Sequence, residues 1–235
     1  MRVETGIHRL DNMMEGGIPR GNVVLVSGEY GTGKTTLSLH FVGDGVEDYG
    51  EFGVFVTFEE GRDSILRTGE DFGLSLKRWE KSGSLKILEV FQDSYKDLDD
   101  AGDAVVDDIL EAVEGMDADR VVVDGLAELR NFFETKRGLV SSLSKLRREL
   151  RSRGCTSIVT SPLDFDIENL VDGVIVLHYD GEIEKERFIE VRKMRGTSHS
   201  KSLYPFEIRD EGIFILNLRN PRSFSEDLSR FKEVM

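Results

Sequence analysis

One cysteine, Cys155, stands in 235 residues, so no intrachain disulfide and no cysteine-built metal site can form, which fits a reducing compartment. Proline is scarce as well, four residues against 24 glycines, and no Pro/Ser-rich linker, low-complexity tract or 20-to-50-residue repeat divides the chain. No run reaches the roughly 18 apolar residues of a membrane-spanning helix. The start, Met1-Arg2-Val3-Glu4, has no secretory apolar region. A soluble, cytoplasmic protein is expected. Basic residues are in deficit: 31 Lys and Arg face 45 Asp and Glu, a formal net charge of -14. Such a chain has no global attraction for phosphate backbones or anionic lipid, so neither nucleic acid nor a membrane is an expected partner. The acidity is uneven. Residues 90–120 hold 11 acidic and 2 basic residues, whereas 185–222 hold 9 basic and 5 acidic.

Short apolar runs bounded by turn residues recur at Val23–Val26, Gly53–Phe58, Val121–Val123, Ser157–Val159 and Val174–Leu177. They are continuous rather than alternating, as strands covered on both faces are. Helical stripes lie between them, one through Val105, Val106, Ile109, Leu110 and Val113 and another through Leu139, Leu143, Leu146 and Leu150. The order predicts an α/β fold with a mostly parallel central sheet and helices on both faces. Further on, Arg187–Val191, Leu203–Ile208 and Gly212–Leu216, with turns at Asp180-Gly181 and Glu211-Gly212, predict an antiparallel C-terminal edge. The length fits one domain over residues 1–235, with a core of about 5–216 and a polar tail of about 219–235.

Gly28-Glu29-Tyr30-Gly31-Thr32-Gly33-Lys34-Thr35 fits G-x-x-x-x-G-K-[ST], directly after one apolar run and before a helical stretch from Thr36 to Val46. That context is what a phosphate-binding P-loop requires. Gly28, Gly31, Thr32, Gly33, Lys34, Thr35 and Thr36 are the candidate ATP/ADP contacts. Backbone N–H groups and the helix N-terminus face the phosphates, Lys34 places its charge on the β/γ-phosphates, and Thr35 offers its hydroxyl to Mg²⁺. Asp124 closes the apolar run Arg120–Val123, at the strand end where parallel α/β sheets gather ligands, and is the candidate Walker B metal residue. Glu59 and Glu60 close another run. They either polarise the attacking water or simply favour a helix N-terminus, and spacing alone leaves the two readings even.

With these residues in view, the chain resembles the KaiC family within the RecA-like P-loop ATPases, from about Thr5 to Ile215. The resemblance is carried by Thr5-Gly6-Ile7, Leu10-Asp11 and Gly16-Gly17-Ile18-Pro19-Arg20-Gly21, by the P-loop, by Glu59-Glu60, and by Lys193-Met194-Arg195-Gly196-Thr197-Ser198-His199 with Lys201 and Tyr204-Pro205-Phe206. The last string is the most specific. The resemblance implies that Glu59 and Glu60 are catalytic and that Lys193 and Arg195 reach into the nucleotide site of a neighbouring subunit. It places His199 and Lys201 near the same nucleotide. It further implies a homo-oligomeric ring, usually a hexamer, with ATP at each interface. Independently, Arg192, Lys193 and Arg195 form a basic cluster with no internal partner evident from the sequence. An anion or an acidic neighbour surface would satisfy it, unless it is a solvated hairpin. A cation supplied in trans is worth about 10³ to 10⁵ in rate where chemistry depends on it.

Clock members of that family have two tandem domains and phosphorylate adjacent hydroxyl residues. The aligned positions here are Glu168 and Asn169, so autokinase activity is not expected. Glu29-Tyr30 and Gly125 also depart from the family pattern. The leading expectation is a Mg²⁺-dependent ATPase. The alternatives are a nucleotide-gated binding module that signals to a protein partner, and a recombinase-like DNA-repair protein. Against the last, the segment Asp164–Glu168 carries three carboxylates that would repel a phosphate backbone. The basic helical surface of Lys145, Arg147, Arg148, Arg151 and Arg153 meets solvent, DNA, a partner, or a neighbour's acidic segment. Thr160 and Ser161 either sense the γ-phosphate or cap a turn. Cys155 reads as a small core residue, and His8, His40 and His178 lack metal-ligand spacing.

Overall fold

The computed structural model describes residues 1–98, 100–165, 167–180 and 186–217; the expected tail at 219–235 and the turn at Gly181 lie outside them. The chain opens with β1 (Arg2–Val3), α1 (His8–Met13) and β2 (Ile18–Pro19), and β1 and β2 pair as a small two-stranded sheet. Next come β3 (Val23–Gly28), α2 (Lys34–Asp48), β4 (Gly53–Thr57), α3 (Arg62–Asp71), α4 (Leu76–Ser82) and β5 (Leu85–Glu89). Then follow α5 (Ala101–Met116), β6 (Arg120–Asp124), α6 (Leu126–Leu129), α7 (Lys136–Ser152), β7 (Thr156–Ser161) and β8 (Gly173–Asp180). The strands β9 (Glu186–Met194), β10 (Tyr204–Arg209) and β11 (Gly212–Ile215) complete the described chain.

Among the described residues nine strands form one sheet in the order β11-β10-β9-β8-β3-β7-β6-β4-β5. From β8 to β5 neighbours run parallel, and β8, β9, β10 and β11 pair antiparallel. The expected parallel sheet with an antiparallel C-terminal edge is therefore borne out. Every residue of β3, β4, β6 and β7 is buried, and successive side chains feed opposite faces. Val24 and Val26 join Leu37, Phe41 and Val42 of α2 on one face. Val23 and Leu25 join Val105 and Ile109 of α5 and Leu143 and Leu146 of α7 on the other. Two-sided burial is why these runs show no alternation.

The strands that escaped the sequence reading are the β1–β2 pair and β5, where Leu85 and Ile87 are buried and Lys86 exposed, and the short helices α1, α3, α4 and α6 escaped it too. The charged helices also pair differently from expectation. The basic surface of α7 meets the acidic segment of its own chain, with Lys145 Nζ 2.5 Å from Asp107 and Arg153 3.4 Å from Glu114. Those charges lie on α5, which packs beside α7 on the same face, so each helix neutralises the other. Arg148 stays in solvent beside Glu149.

Candidate functional site: the C-terminal ends of the parallel strands

At the end of β3 the chain must turn sharply. A Cβ at Gly28 would lie 2.6 Å from the Leu177 carbonyl oxygen and 2.8 Å from Thr32 Oγ1, so only glycine lets the turn pass beside β8. Gly31 and Gly33 follow at φ +78° and +102°, a region glycine enters without penalty. Gly33 caps α2, no side chain fills the cap, and the first N–H groups of a helix have no partner within it. The result is a concave row of donors at the positive end of a 15-residue helix. Lys34 Nζ donates to the carbonyl oxygens of Gly28, at 2.8 Å, and Glu29, at 3.0 Å. Burial lowers its pKa, and the nearby charges of Asp124 and Glu59 oppose that shift. A partly desolvated cation in a cup of amide donors is the chemistry of a phosphate site. Arg187 of β9 adds a contact that the sequence did not reveal, donating from Nε and Nη2 to the Gly31 carbonyl at 3.2 and 3.1 Å.

Asp124 ends β6 and is 8% exposed. Its Oδ2 accepts from Thr35 Oγ1 at 2.8 Å and its Oδ1 from Thr160 Oγ1 at 2.6 Å. Thr160 Oγ1 in turn accepts from the Gly125 amide at 2.8 Å. Burial raises the Asp124 pKa, and the two hydroxyl hydrogen bonds offset only part of the rise. Thr160 thus has a contact that neither sequence reading named: it holds the Asp124 carboxylate. Ser161 Oγ is bonded to the Pro162 carbonyl at 3.0 Å. Thr35 and Asp124 supply hard oxygen ligands of the kind Mg²⁺ takes, and the under-compensated buried carboxylate suits a cation, so the residues fit that ion. Among the described residues no group of three His, Cys, Asp or Glu is placed to hold a metal. Mg²⁺ needs only one or two carboxylates, with water and phosphate oxygens for the rest.

Glu59 and Glu60 separate. A Cβ at Gly125 would lie 3.1 Å from Glu59 Cγ and 3.3 Å from its Oε1, which puts Glu59 against the end of β6. Burial, then the Asp124 and Glu128 charges, raise its pKa. Glu60 instead accepts at Oε2 from Ser64 Oγ of α3 at 2.6 Å, and its backbone is bonded to Thr57 Oγ1. The Glu60 charge nevertheless reaches Asp124 and helps to raise its pKa, so both glutamates stand near the end of β6 with different side-chain partners.

Lys193, Arg195, His199 and Lys201 are not gathered with this group. Gly173 is paired with both Val24 and Met194, while Gly28 is paired with Leu177. The end of β9 therefore lies level with the start of β3, about 13 Å along the strands from the P-loop. His199 and Lys201 follow in the loop to β10, where Ser200 N donates to the Met13 carbonyl at 2.9 Å. The basic cluster also has internal partners after all. Arg192 pairs with Glu168 and Glu190 at 2.8 and 3.0 Å, Lys193 Nζ donates to the Glu168 and Val171 carbonyls at 2.7 Å each, and Arg195 lies 3.2 Å from Asp172. Apart from Glu190 on β9 itself, these partners lie in the segment that precedes β8, which the β8–β9 pairing brings alongside. Cys155 is a buried core residue whose Sγ donates to the Ala118 carbonyl at 2.9 Å, and burial raises its pKa to about 11. No helix among the described residues is long and apolar enough to cross a membrane.

Comparison with known proteins gives the family. A family model described as "ATPase: KaiC" matches residues 3–220. The UPF0273 protein of Methanopyrus kandleri is 37% identical, covering 90% of each chain, and that of Thermotoga maritima is 37% identical, covering 91% of this chain and 95% of its own. The circadian clock oscillator protein KaiC of Prochlorococcus marinus is 32% identical over 92% of this chain but only 46% of its own length. Among solved structures, a KaiC-like protein of Pyrococcus horikoshii superposes with a TM-score of 0.82 at 35% identity, covering 92% of this chain and 99% of that one.

Proposed function

The chain belongs to the KaiC family of ATPases, and from that premise we propose that it is a single-domain, Mg²⁺-dependent, cytoplasmic ATPase whose subunits close into a ring, six in number, with ATP at each interface. The observation that carries the reading is the separation of the two halves of the machinery. Lys34, Thr35 and Asp124 converge at one end of the parallel strands, and the basic string that resembles the family's trans residues sits at the other. A chain cannot bring both to one nucleotide, whereas a head-to-tail interface repeated by rotation does so at every junction.

Within each site, the Gly28–Thr36 loop holds the phosphates with backbone amides and Lys34. Thr35 and Asp124 hold Mg²⁺, which when bound neutralises charge on the phosphate oxygens. Glu59, whose pKa is raised by burial and by the Asp124 charge, orients the attacking water and takes its proton as the water oxygen bonds to the γ-phosphorus and the bond to the leaving ADP oxygen breaks. Glu60 steadies the Glu59 turn through Ser64. Lys193 and Arg195, with His199 and Lys201, come from the neighbouring subunit and meet the phosphate charge that develops in the transition state.

The test mixes two variants. Lys34→Ala keeps the trans cations but loses its own phosphate site; Arg195→Ala keeps the phosphate site but loses the cation. Each alone should turn over ATP slowly, and mixed rings should recover activity, because some junctions then pair an intact loop with an intact Arg195. Mixtures no more active than the sum of their parts would refute the trans arrangement. Turnover per protomer that rises with protein concentration and then plateaus would support it further.

A further inference from the structure

Asp172, the residue before β8, is 1% exposed yet sits among three guanidinium groups. Its Oδ1 accepts from Arg147 Nη2 at 2.6 Å and Arg195 Nη1 at 3.2 Å, with Arg151 Nη1 at 3.6 Å. Its Oδ2 accepts from the Val23 amide at 3.2 Å and from Arg147 Nε at 3.4 Å. The backbone is fastened as well: Asp172 N donates to the Val23 carbonyl at 2.8 Å, and Arg195 N to the Asp172 carbonyl at 2.9 Å. This carboxylate is held on both oxygens and tied to the first residue of β3, which leads into the P-loop of its own subunit.

Arg195 gains a fixed anchor without being used up. Its side chain is 52% exposed, and the contact with Asp172 engages only Nη1, leaving the other donors of the guanidinium fork for an external anion. Three guanidinium groups share one carboxylate, so the cluster keeps a surplus of positive charge at the surface. The carbonyls of Glu168 and Val171 fix Lys193 in the same way. The segment 168–172 therefore sets the position of both cations.

We propose that Asp172 is a positioning residue for hydrolysis in the neighbouring subunit: buried and clamped by Arg147, it pre-orients Arg195 toward that subunit's nucleotide. This rests on the trans reading of Arg195 given above. A cation whose geometry is set before assembly pays no ordering cost at the moment of reaction. Loss of the anchor lowers the chemical step and not the capture of ATP, which belongs to the other end of the sheet.

The experiment is a double-mutant cycle on assembled protein, reading kcat and KM for ATP in Asp172→Asn, Arg195→Ala and the pair. Asp172→Asn is expected to lower kcat about tenfold or more with KM unchanged, and to have no further effect once Arg195 is alanine. Because removing a buried carboxylate also threatens folding, Arg147→Gln, which loosens the clamp and leaves Asp172 on Val23, serves as the second variant. It should show a smaller kcat loss that likewise vanishes in the Arg195→Ala background. If Asp172→Asn costs the same factor with and without Arg195, or costs nothing in kcat, the positioning role is refuted while the trans reading stands. If Arg195→Ala alone keeps full kcat, the trans reading falls and this proposal with it.

Discussion

Two buried aspartates mark the two ends of the parallel strands, and their surroundings are opposite. Asp124, at the end of β6, is held by the hydroxyls of Thr35 and Thr160. Burial drives its pKa up, and those hydrogen bonds and the weaker pull of the Lys34 charge offset only part of the rise. Burial pushes on Asp172 too, but Arg147, the Val23 amide and Arg151 overcome it and leave the pKa below the ordinary value. A buried carboxylate short of positive charge is a receptor for a cation; one surrounded by positive charge is an anchor for cations. The same residue type thus marks a reacting end and a supporting end of one sheet.

The largest effects should come from neutralising each in turn. Asp124→Asn is expected to cut turnover more than about 100-fold, because a metal ligand is lost, yet to raise the stability of the nucleotide-free protein at pH 7 by about 1 kcal/mol, since an under-compensated buried charge is gone. Asp172→Asn should lower stability by about 2 kcal/mol, as partners of a buried charge are left unpaired. Chemical denaturation of both variants checks the signs. If both shift the same way, burial alone governs the two sites and the contrast is lost.

The pH dependence sharpens the same contrast. The folded-state pKa of Asp172 lies below its unfolded value of 3.8, so its stabilisation is present above that value and is lost as pH falls through the folded pKa. The pKa of Asp124 is raised above 3.8, so the folded protein holds a proton the unfolded chain releases, and stability declines as pH rises through that window. Both variants should therefore converge on the wild-type stability as the solution is acidified, Asp172→Asn from below and Asp124→Asn from above. Denaturation midpoints from pH 7 toward the acid limit would show it, and parallel curves would contradict it.

These contrasts also explain what could be read in advance. The phosphate loop is contiguous, with its strand and helix on either side, and Asp124 ends an apolar run beside it; both were legible. How Glu59 and Glu60 divide their partners depends on a turn stabilised by Thr57 and Ser64, and spacing does not encode that. Asp172 was invisible because its partners come from two other elements, Arg147 25 residues before it and Arg195 23 after. The α5–α7 neutralisation was hidden likewise, Lys145 being 38 residues from Asp107. Strand β5 did carry alternation, with Leu85 and Ile87 inward, but it is a half-buried edge strand, and a search for continuous apolar runs passes over it.

Thr160 offers a smaller perturbation. Thr160→Val removes a donor to Asp124 Oδ1 and the acceptor of the Gly125 amide. The expected cost is about 1 kcal/mol in stability and a rise of about tenfold in the Mg²⁺ concentration needed for half-maximal turnover. Thr160→Ser, which keeps the hydroxyl, should stay near wild type in both. A Mg²⁺ requirement unchanged in Thr160→Val would mean that Thr35 alone orients Asp124.

Asp11 has the smallest expected effect on turnover and separates burial from ligand chemistry. It is 3% exposed and accepts from Thr5 N and Thr5 Oγ1 at 2.8 and 2.9 Å, far in sequence from the phosphate loop. Burial raises its pKa to about 6 despite those hydrogen bonds. The folded protein therefore favours the protonated acid, and stability declines as pH rises from near 4 through 6. Asp11→Asn should gain up to about 3 kcal/mol at pH 7, with the same sign as Asp124→Asn. Saturating Mg²⁺-ATP distinguishes the two, since a ligand that binds only the folded state adds stability wherever its site is intact. The gain of Asp11→Asn over wild type should survive that addition unchanged. The gain of Asp124→Asn should reverse, because wild type then fills the carboxylate with the cation it lacks. If both gains survive, Asp124 is raised by burial in the same passive sense as Asp11, and its assignment to Mg²⁺ fails.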